Sequence, residues 1–252
     1  MSIKKINYFK IDKKRNLLAL QNKTVELKES YKTAKIENPN TSAFWNQHID
    51  RASSFNFLDG MTKDRIKTAA KFVRRKSRKL LDIGLGYGFF EKEMKKKKRD
   101  IKFYGIDISK NAINTIKKSV KGIFKEGSIL KIPFNKKSFD TVVALEVLEH
   151  IMANETFSAY KEIIRVLKKD GQFIASVPIY ETYTPESNPN RHLRSYTPKL
   201  FIEELKLAGF KIVKIKKLYA FSKFYNLKNF LKIILRKRWK PNIIIVDCLL
   251  KN

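Results

Sequence analysis

The residues with the clearest chemical potential run Lys79-Leu80-Leu81-Asp82-Ile83-Gly84-Leu85-Gly86-Tyr87-Gly88-Phe89-Phe90. An apolar run ends near an acid, three glycines follow at alternate positions, and a helical stretch opens beyond them. Such a strand-turn-helix lets a ligand lie against bare backbone, and the N–H groups at the helix start favour an anion. The chain has nine glycines, and placing three of them here exceeds what a plain tight turn needs. The spacing is G-x-G-x-G. It departs from the dinucleotide fingerprint G-x-G-x-x-G, because Phe89 stands where the third glycine belongs. Asp82 would repel a pyrophosphate but suits an ammonium, leaving the loop N–H groups for a carboxylate. Asp107 closes the next apolar run, where an acid can accept hydrogen bonds from neighbouring ribose hydroxyls. The expected ligand joins an amino acid to a nucleoside.

A second constellation follows the apolar run Phe139–Leu145: Glu146-Val147-Leu148-Glu149-His150. If it begins a helix, positions 146, 149 and 150 share one face. His150, assisted by Glu149, is a candidate general base. The other reading has Glu149 and His150 capping and pairing locally at a pocket floor. Two carboxylates and an imidazole on one face also form a ligand set for a divalent cation, with His192 as a fourth ligand. The loop 178–198 carries Tyr180, Tyr183, Arg191, His192, Arg194 and Tyr196, an expected wall for an acceptor with a ring or sugar face and a negative group. Trp45 and His48 are expected to lid the ligand.

Positioning these groups requires alternating strands and helices. Apolar runs predict strands at Lys79–Ile83, Ile101–Asp107, Gly122–Lys125, Phe139–Leu145, Gln172–Val177, Phe210–Tyr219 and Asn242–Leu250. Helical spacing lies between them at Phe89–Lys97, Lys110–Lys118, Glu155–Leu167 and Pro198–Ala208, with a further helix around Leu227–Leu235. This is an α/β, doubly wound, mostly parallel seven-stranded sheet with helices on both faces and the last strand antiparallel. Residues 41–75 read as helical. Residues 1–40 read as a polar peripheral arm with a short hairpin, so the domain proper is expected over 41–252, with a core over 79–177 and an insertion over 221–241.

The segment from Lys79 to Val177 resembles the core of class I S-adenosylmethionine-dependent methyltransferases, near the ubiquinone-pathway group. LLDIGLGYG is similar to their first motif and FYGIDIS to their ribose-binding strand end. GSILKIPFNKKSFDTVVALEVLEH resembles the adenine loop with the fourth strand, and RVLKKDGQFIASVP the fifth strand. The tail is similar to the family's antiparallel last strands. The resemblance implies that Asp82, Gly84, Gly86 and Gly88 frame the methionine end of the cofactor. It places Asp107 on the ribose, Ile108, Ser128 and Ile129 around the adenine, and Leu145 under the sulfonium. Many members carry an aspartate where this chain has Ser128; a neutral oxygen should cost about 1 kcal/mol of cofactor affinity, unless Glu126 compensates. Ubiquinone-pathway O-methyltransferases and small-RNA terminal-ribose methyltransferases look similar around Glu146, Glu149 and His150, which implies a metal there. The triplet also occurs where no metal is used.

The chain has 252 residues, 43% hydrophobic, enough for a real core and against wholesale disorder. Lys and Arg number 55 against 24 Asp and Glu, a net charge of +31. That charge suits anionic partners and equally a compositional habit of the source. The single cysteine, Cys248, excludes an intrachain disulfide and a thiolate cluster, and reads as a buried strand residue. No apolar run is long enough to span a bilayer, so a soluble cytoplasmic setting is expected. The function expected is methyl transfer to a small-molecule, quinone-type or glycan/lipid-linked acceptor, at oxygen. Two alternatives stand beside it: methylation of RNA through the basic surface, and cofactor binding without catalysis. The basic stretch Arg236-Lys237-Arg238-Trp239-Lys240 offers either membrane contact or a solvated tip.

Overall fold

The computed structural model describes residues 8–32, 38–52, 59–97, 100–182, 188, 190–220, 225–231 and 239–251. Tyr183, Arg236-Lys237-Arg238 and the end of the helix expected at Leu227–Leu235 lie outside the described residues. In chain order the helices α1 (Tyr8–Leu20), α2 (Thr24–Glu29), α3 (Ser42–Ala52) and α4 (Gly60–Phe72) lead into β1 (Lys79–Ile83). Then come α5 (Phe89–Lys95), β2 (Lys102–Asp107), α6 (Lys110–Lys117), β3 (Gly122–Glu126) and β4 (Phe139–Leu145). After two 3-10 turns, at Leu148–His150 and Ala153–Glu155, the chain continues through α7 (Thr156–Val166), β5 (Leu167–Pro178), α8 (Pro198–Leu207), β6 (Phe210–Leu218), α9 (Tyr225–Leu231) and β7 (Ile243–Leu250).

The seven strands order as β3-β2-β1-β4-β5-β7-β6. Strands β1 to β5 pair in parallel, and β7 runs antiparallel between β5 and β6. In β1 every residue but Lys79 is buried, and in β4 every residue but Asp140 and Leu145, because helices cover both sheet faces. The strand order reverses between β1 and β4. That is where an open α/β sheet leaves a crevice beyond the carboxyl ends of its strands, and the tips of β1, β2 and β4 meet there. Local caps fix the helix starts. Asp59 accepts from the Thr62 N–H (2.9 Å), Ser109 from the Ala112 N–H (3.2 Å) and Thr197 from the Leu200 N–H (3.2 Å).

The N-terminal residues differ from the expected hairpin: they form two helices, and α1 packs on α8. The reason is a buried ion network. Asp12 (1% exposed) and Arg15 (2%) pair at 2.9 Å, and Asp12 also holds Arg194 Nε at 3.1 Å. Residues that count as polar by type are interior here because each finds its opposite charge.

Candidate active site

The glycine loop turns by adopting left-handed backbone at all three glycines, with φ of +77° at Gly84, +50° at Gly86 and +67° at Gly88. At Gly84 a β-carbon would stand 2.5 Å from Val147 Cγ2, so the loop can approach the 146–150 segment only as bare backbone. The three glycine amides of the loop are engaged within the protein. Gly84 N–H donates to Ile106 O (2.9 Å), Gly86 N–H to Asp107 Oδ2 (3.0 Å) and Gly88 N–H to Leu85 O (2.9 Å). Of the loop N–H groups expected to face a carboxylate, these three are engaged within the protein. Asp107 instead holds the loop in shape, while its Oδ1 accepts from the Ser109 N–H at 2.8 Å. Burial raises the Asp107 carboxyl, opposed by these backbone donors.

One cavity of about 980 Å³ runs across the tips of β1, β2 and β4. Its size falls at the upper end of ordinary ligand sites. Asp82, Gly84, Gly86, Asp107, Ile108, Ser128, Ile129, Leu145, His150 and His192 all line it. Of the cofactor and catalytic residues picked from sequence, Gly88 and Glu149 do not: Gly88 is the N-cap of α5, and Glu149 is wholly buried behind the wall. Ser128 Oγ accepts from the Leu130 N–H (3.2 Å), and Glu126 is exposed and away from the lining. Trp45 and His48 on α3 line the cavity as expected of a lid. The helix is tied down by Asn46 Oδ1, which accepts from Ser109 Oγ (2.8 Å), and by the Tyr87 hydroxyl, which donates to Ile49 O (3.2 Å).

Two residues that sequence reasoning missed shape the β1 end. Arg65 on α4 lines the cavity, with Nη1 3.1 Å from Glu146 Oε2 and a buried Nε without a hydrogen-bond partner. Glu91 on α5, fully buried, faces Asp82 (3% exposed). Burial pushes Glu91 up to about 7, and burial followed by the charge of Glu91 pushes Asp82 well above the carboxylate range. Neither could be found from pattern. Arg65 is one of many cations on a basic chain, and Glu91 reads as a first-turn acid serving the helix dipole.

The 146–150 segment is not a helix. Glu146 is left-handed (φ +58°), a single 3-10 turn carries Leu148–His150, and Ile151 is extended. Glu146 consequently leaves the expected triplet: its Oε1 accepts from Ser176 Oγ (2.7 Å) and its Oε2 pairs with Arg65. His192 takes its place. The ligand atoms of Glu149, His150 and His192 lie within 4.8 Å of one another. The backbone delivers His192 here because the Glu149 carbonyl accepts from the N–H groups of Leu193 (2.9 Å) and Arg194 (3.2 Å). His192 Nδ1 lies 2.7 Å from Glu181 Oε2, and His192 Nε2 lies 4.0 Å from Glu149 Oε1. Both carboxylate oxygens of Glu149 and His150 Nδ1 are buried without hydrogen-bond partners. Burial raises Glu149 well above its ordinary value, Glu146 adding to it. Burial, then His192, depresses His150 to about 3, so its imidazole is neutral.

The expected acceptor wall is only partly present. Tyr180, Glu181, Thr182 and His192 line the cavity, whereas Arg191, Arg194 and Tyr196 do not. Arg191 stacks on the Phe44 ring at 4.1 Å. Arg194 is buried, paired with Asp12 and with Glu204 (2.6 Å), and its Nη1 donates to the Tyr196 hydroxyl at 3.1 Å. Cys248 is buried in β7, as expected. Among the described residues no helix is long and apolar enough to cross a membrane.

Comparison with known proteins agrees with this geometry. The family model for a methyltransferase domain matches residues 81–175, from β1 into β5. An uncharacterized protein of Methanocaldococcus jannaschii is 31% identical over 190 residues, 74% of this chain and 79% of that protein. A sterol 24-C-methyltransferase of Gibberella zeae is 31% identical over 137 residues, 50% of this chain and 33% of the relative. The N-methyltransferase NodS from Bradyrhizobium japonicum, solved in complex with S-adenosyl-L-homocysteine, has a TM-score of 0.61 at 13% identity, covering 82% of this chain and 99% of NodS. With its glycine loop, its acids at successive strand tips and its strand order, the chain belongs to the class I S-adenosylmethionine-dependent methyltransferases.

Proposed function

We propose that the chain transfers a methyl group from S-adenosylmethionine to an oxygen of a small-molecule acceptor. In this reading Asp107 accepts from the ribose hydroxyls, while Ile108, Ser128 and Ile129 enclose the adenine. Asp82 faces the ammonium, and Arg65 takes the carboxylate that the glycine amides do not. The observation that supports the oxygen acceptor is His192 on the cavity wall, its Nδ1 2.7 Å from Glu181 Oε2, which orients the ring and leaves Nε2 for the acceptor hydroxyl. In the displacement the acceptor oxygen bonds the methyl carbon as the carbon–sulfur bond breaks. Its electron pair returns to sulfur, leaving a neutral thioether. The hydroxyl proton passes to the His192 imidazole, whose other nitrogen faces Glu181. A relative named for a sterol acceptor supports a small molecule. The test is incubation with labelled cofactor and cell extract, separated into small-molecule, lipid and nucleic-acid fractions. Label is expected in the small-molecule or lipid fraction; label only in RNA overturns the reading.

A second reading is favoured by the unpartnered donors of Glu149 and His150 within reach of His192. One carboxylate and two imidazoles fit a divalent cation. Glu149, His150 and His192 would hold it, and when bound it would polarise the acceptor oxygen. Calorimetry with manganese should then show one site that disappears in Glu149→Ala. Absence of binding to the wild type removes this reading.

A further inference from the structure

Asp82 and Glu91 are two fully buried carboxyls facing each other at the β1 end of the cavity, and among the described residues neither forms an ion pair. Asp82 lines the cavity, and Glu91 stands behind it on the first turn of α5. Both oxygens of Glu91 are buried without a hydrogen-bond partner. The charged groups facing the pair are few. Asp107 from β2 adds negative charge at Asp82, and Lys92 from α5 itself acts on Glu91, although its Nζ is engaged with the Tyr87 carbonyl at 3.2 Å. Two buried carboxyls facing each other, with a single backbone donor from Ile83 at Asp82, do not both stay charged unless a cation joins them.

Resting on the cofactor assignment above, we infer that Glu91 is a second acid of the cofactor site: the Asp82–Glu91 pair holds a proton in the free protein and releases it when the cofactor's cationic end binds. The single acid expected from the sequence would give no such coupling. One proton leaves the carboxyl pair for solvent, and the ammonium and sulfonium supply the replacing positive charge. No bond to carbon changes. The raised position of both carboxyls agrees with a retained proton.

Proton release is measured by titrating S-adenosylmethionine into the full chain at pH 6.5, in two buffers of different ionisation enthalpy. At that pH the cofactor's own ammonium keeps its proton, since α-amino groups titrate near 7.7–8.0. The wild type is expected to release up to about one proton per site, and Glu91→Gln to bind while releasing markedly less, since only burial and Asp107 still raise the Asp82 carboxyl. Wild-type affinity should also rise with pH between 5.5 and 6.5, by up to about tenfold, which needs no variant to fold. Binding without proton release, a flat affinity across that range, or equal release by Glu91→Gln would overturn the inference. No binding by the wild type would instead contradict the cofactor assignment, and the inference with it.

Discussion

Gly84 combines φ +77° with a neighbour, Val147 Cγ2, 2.5 Å from where a β-carbon would stand. Gly84→Ala must therefore strain the loop and push the Val147 side chain aside, an expected loss of about 1–3 kcal/mol in urea unfolding. Glu91 makes the apo protein sensitive to pH. Its ordinary value is 4.5 and burial lifts it to about 7, so the folded chain holds a proton across that window that the unfolded chain has released. Stability thus falls as pH rises from 4.5 to 7. Thermal melts without cofactor should show a steeper decline for the wild type than for Glu91→Gln, with the variant more stable at pH 8. At this scale, acids next to glycines were legible because spacing marks them. Arg65, Glu91 and Glu181 were not, because only the fold brings them to Glu146, Asp82 and His192.

The N-terminal helix pair and the loop before α8 act as one element. Asp12 Oδ2 accepts from the Ser195 N–H at 2.9 Å, Asn16 holds Ser195 O and the Thr197 N–H at 2.9 Å each, and the Tyr31 hydroxyl bonds Glu204. The same loop hangs on the Glu149 carbonyl from its other side, so α1 steadies His192 from outside the matched segment. Arg194→Met leaves Asp12 and Glu204 without their shared cation, and an expected loss of about 3–5 kcal/mol should appear in denaturant unfolding. Adding Glu204→Gln should recover part of it, since Asp12 keeps Arg15 at 2.9 Å while Glu204 loses its cation. Helices and strands were legible where apolar spacing governs them, as in α6 and β4. The α1 helix was not, since its inward face carries Asp12 and Arg15. Nor was the 3-10 turn at Leu148–His150, which follows from left-handed Glu146 being pinned between Ser176 and Arg65.

Across the whole molecule, the seven strands and their parallel core follow from alternating apolar runs. The insertion of β7 between β5 and β6 comes from pairing between distant segments that no local pattern encodes. Part of the +31 charge sits on the edge strand β6, where Lys211, Lys214, Lys216 and Lys217 are exposed. Lysines on an edge discourage strand addition by other chains, a structural use for cations that says nothing of nucleic acid. RNA retained by this surface should be lost between about 50 and 200 mM salt, as counterion release dictates. Cofactor affinity over the same range should be unchanged; retention that survives the salt would instead favour an RNA acceptor.

The most direct measurement is calorimetric titration of S-adenosylmethionine into the wild type and Asp107→Ala. Asp107 shapes the glycine loop through Gly86 and faces the same cavity as Asp82. Removing its carboxylate deletes charge-assisted hydrogen bonds of about 1.5–3 kcal/mol each. One site per chain is predicted for the wild type, weakened about a hundredfold or more in the variant. Equal affinity in the two proteins, or no binding by the wild type, would contradict the cradle assigned to these acids.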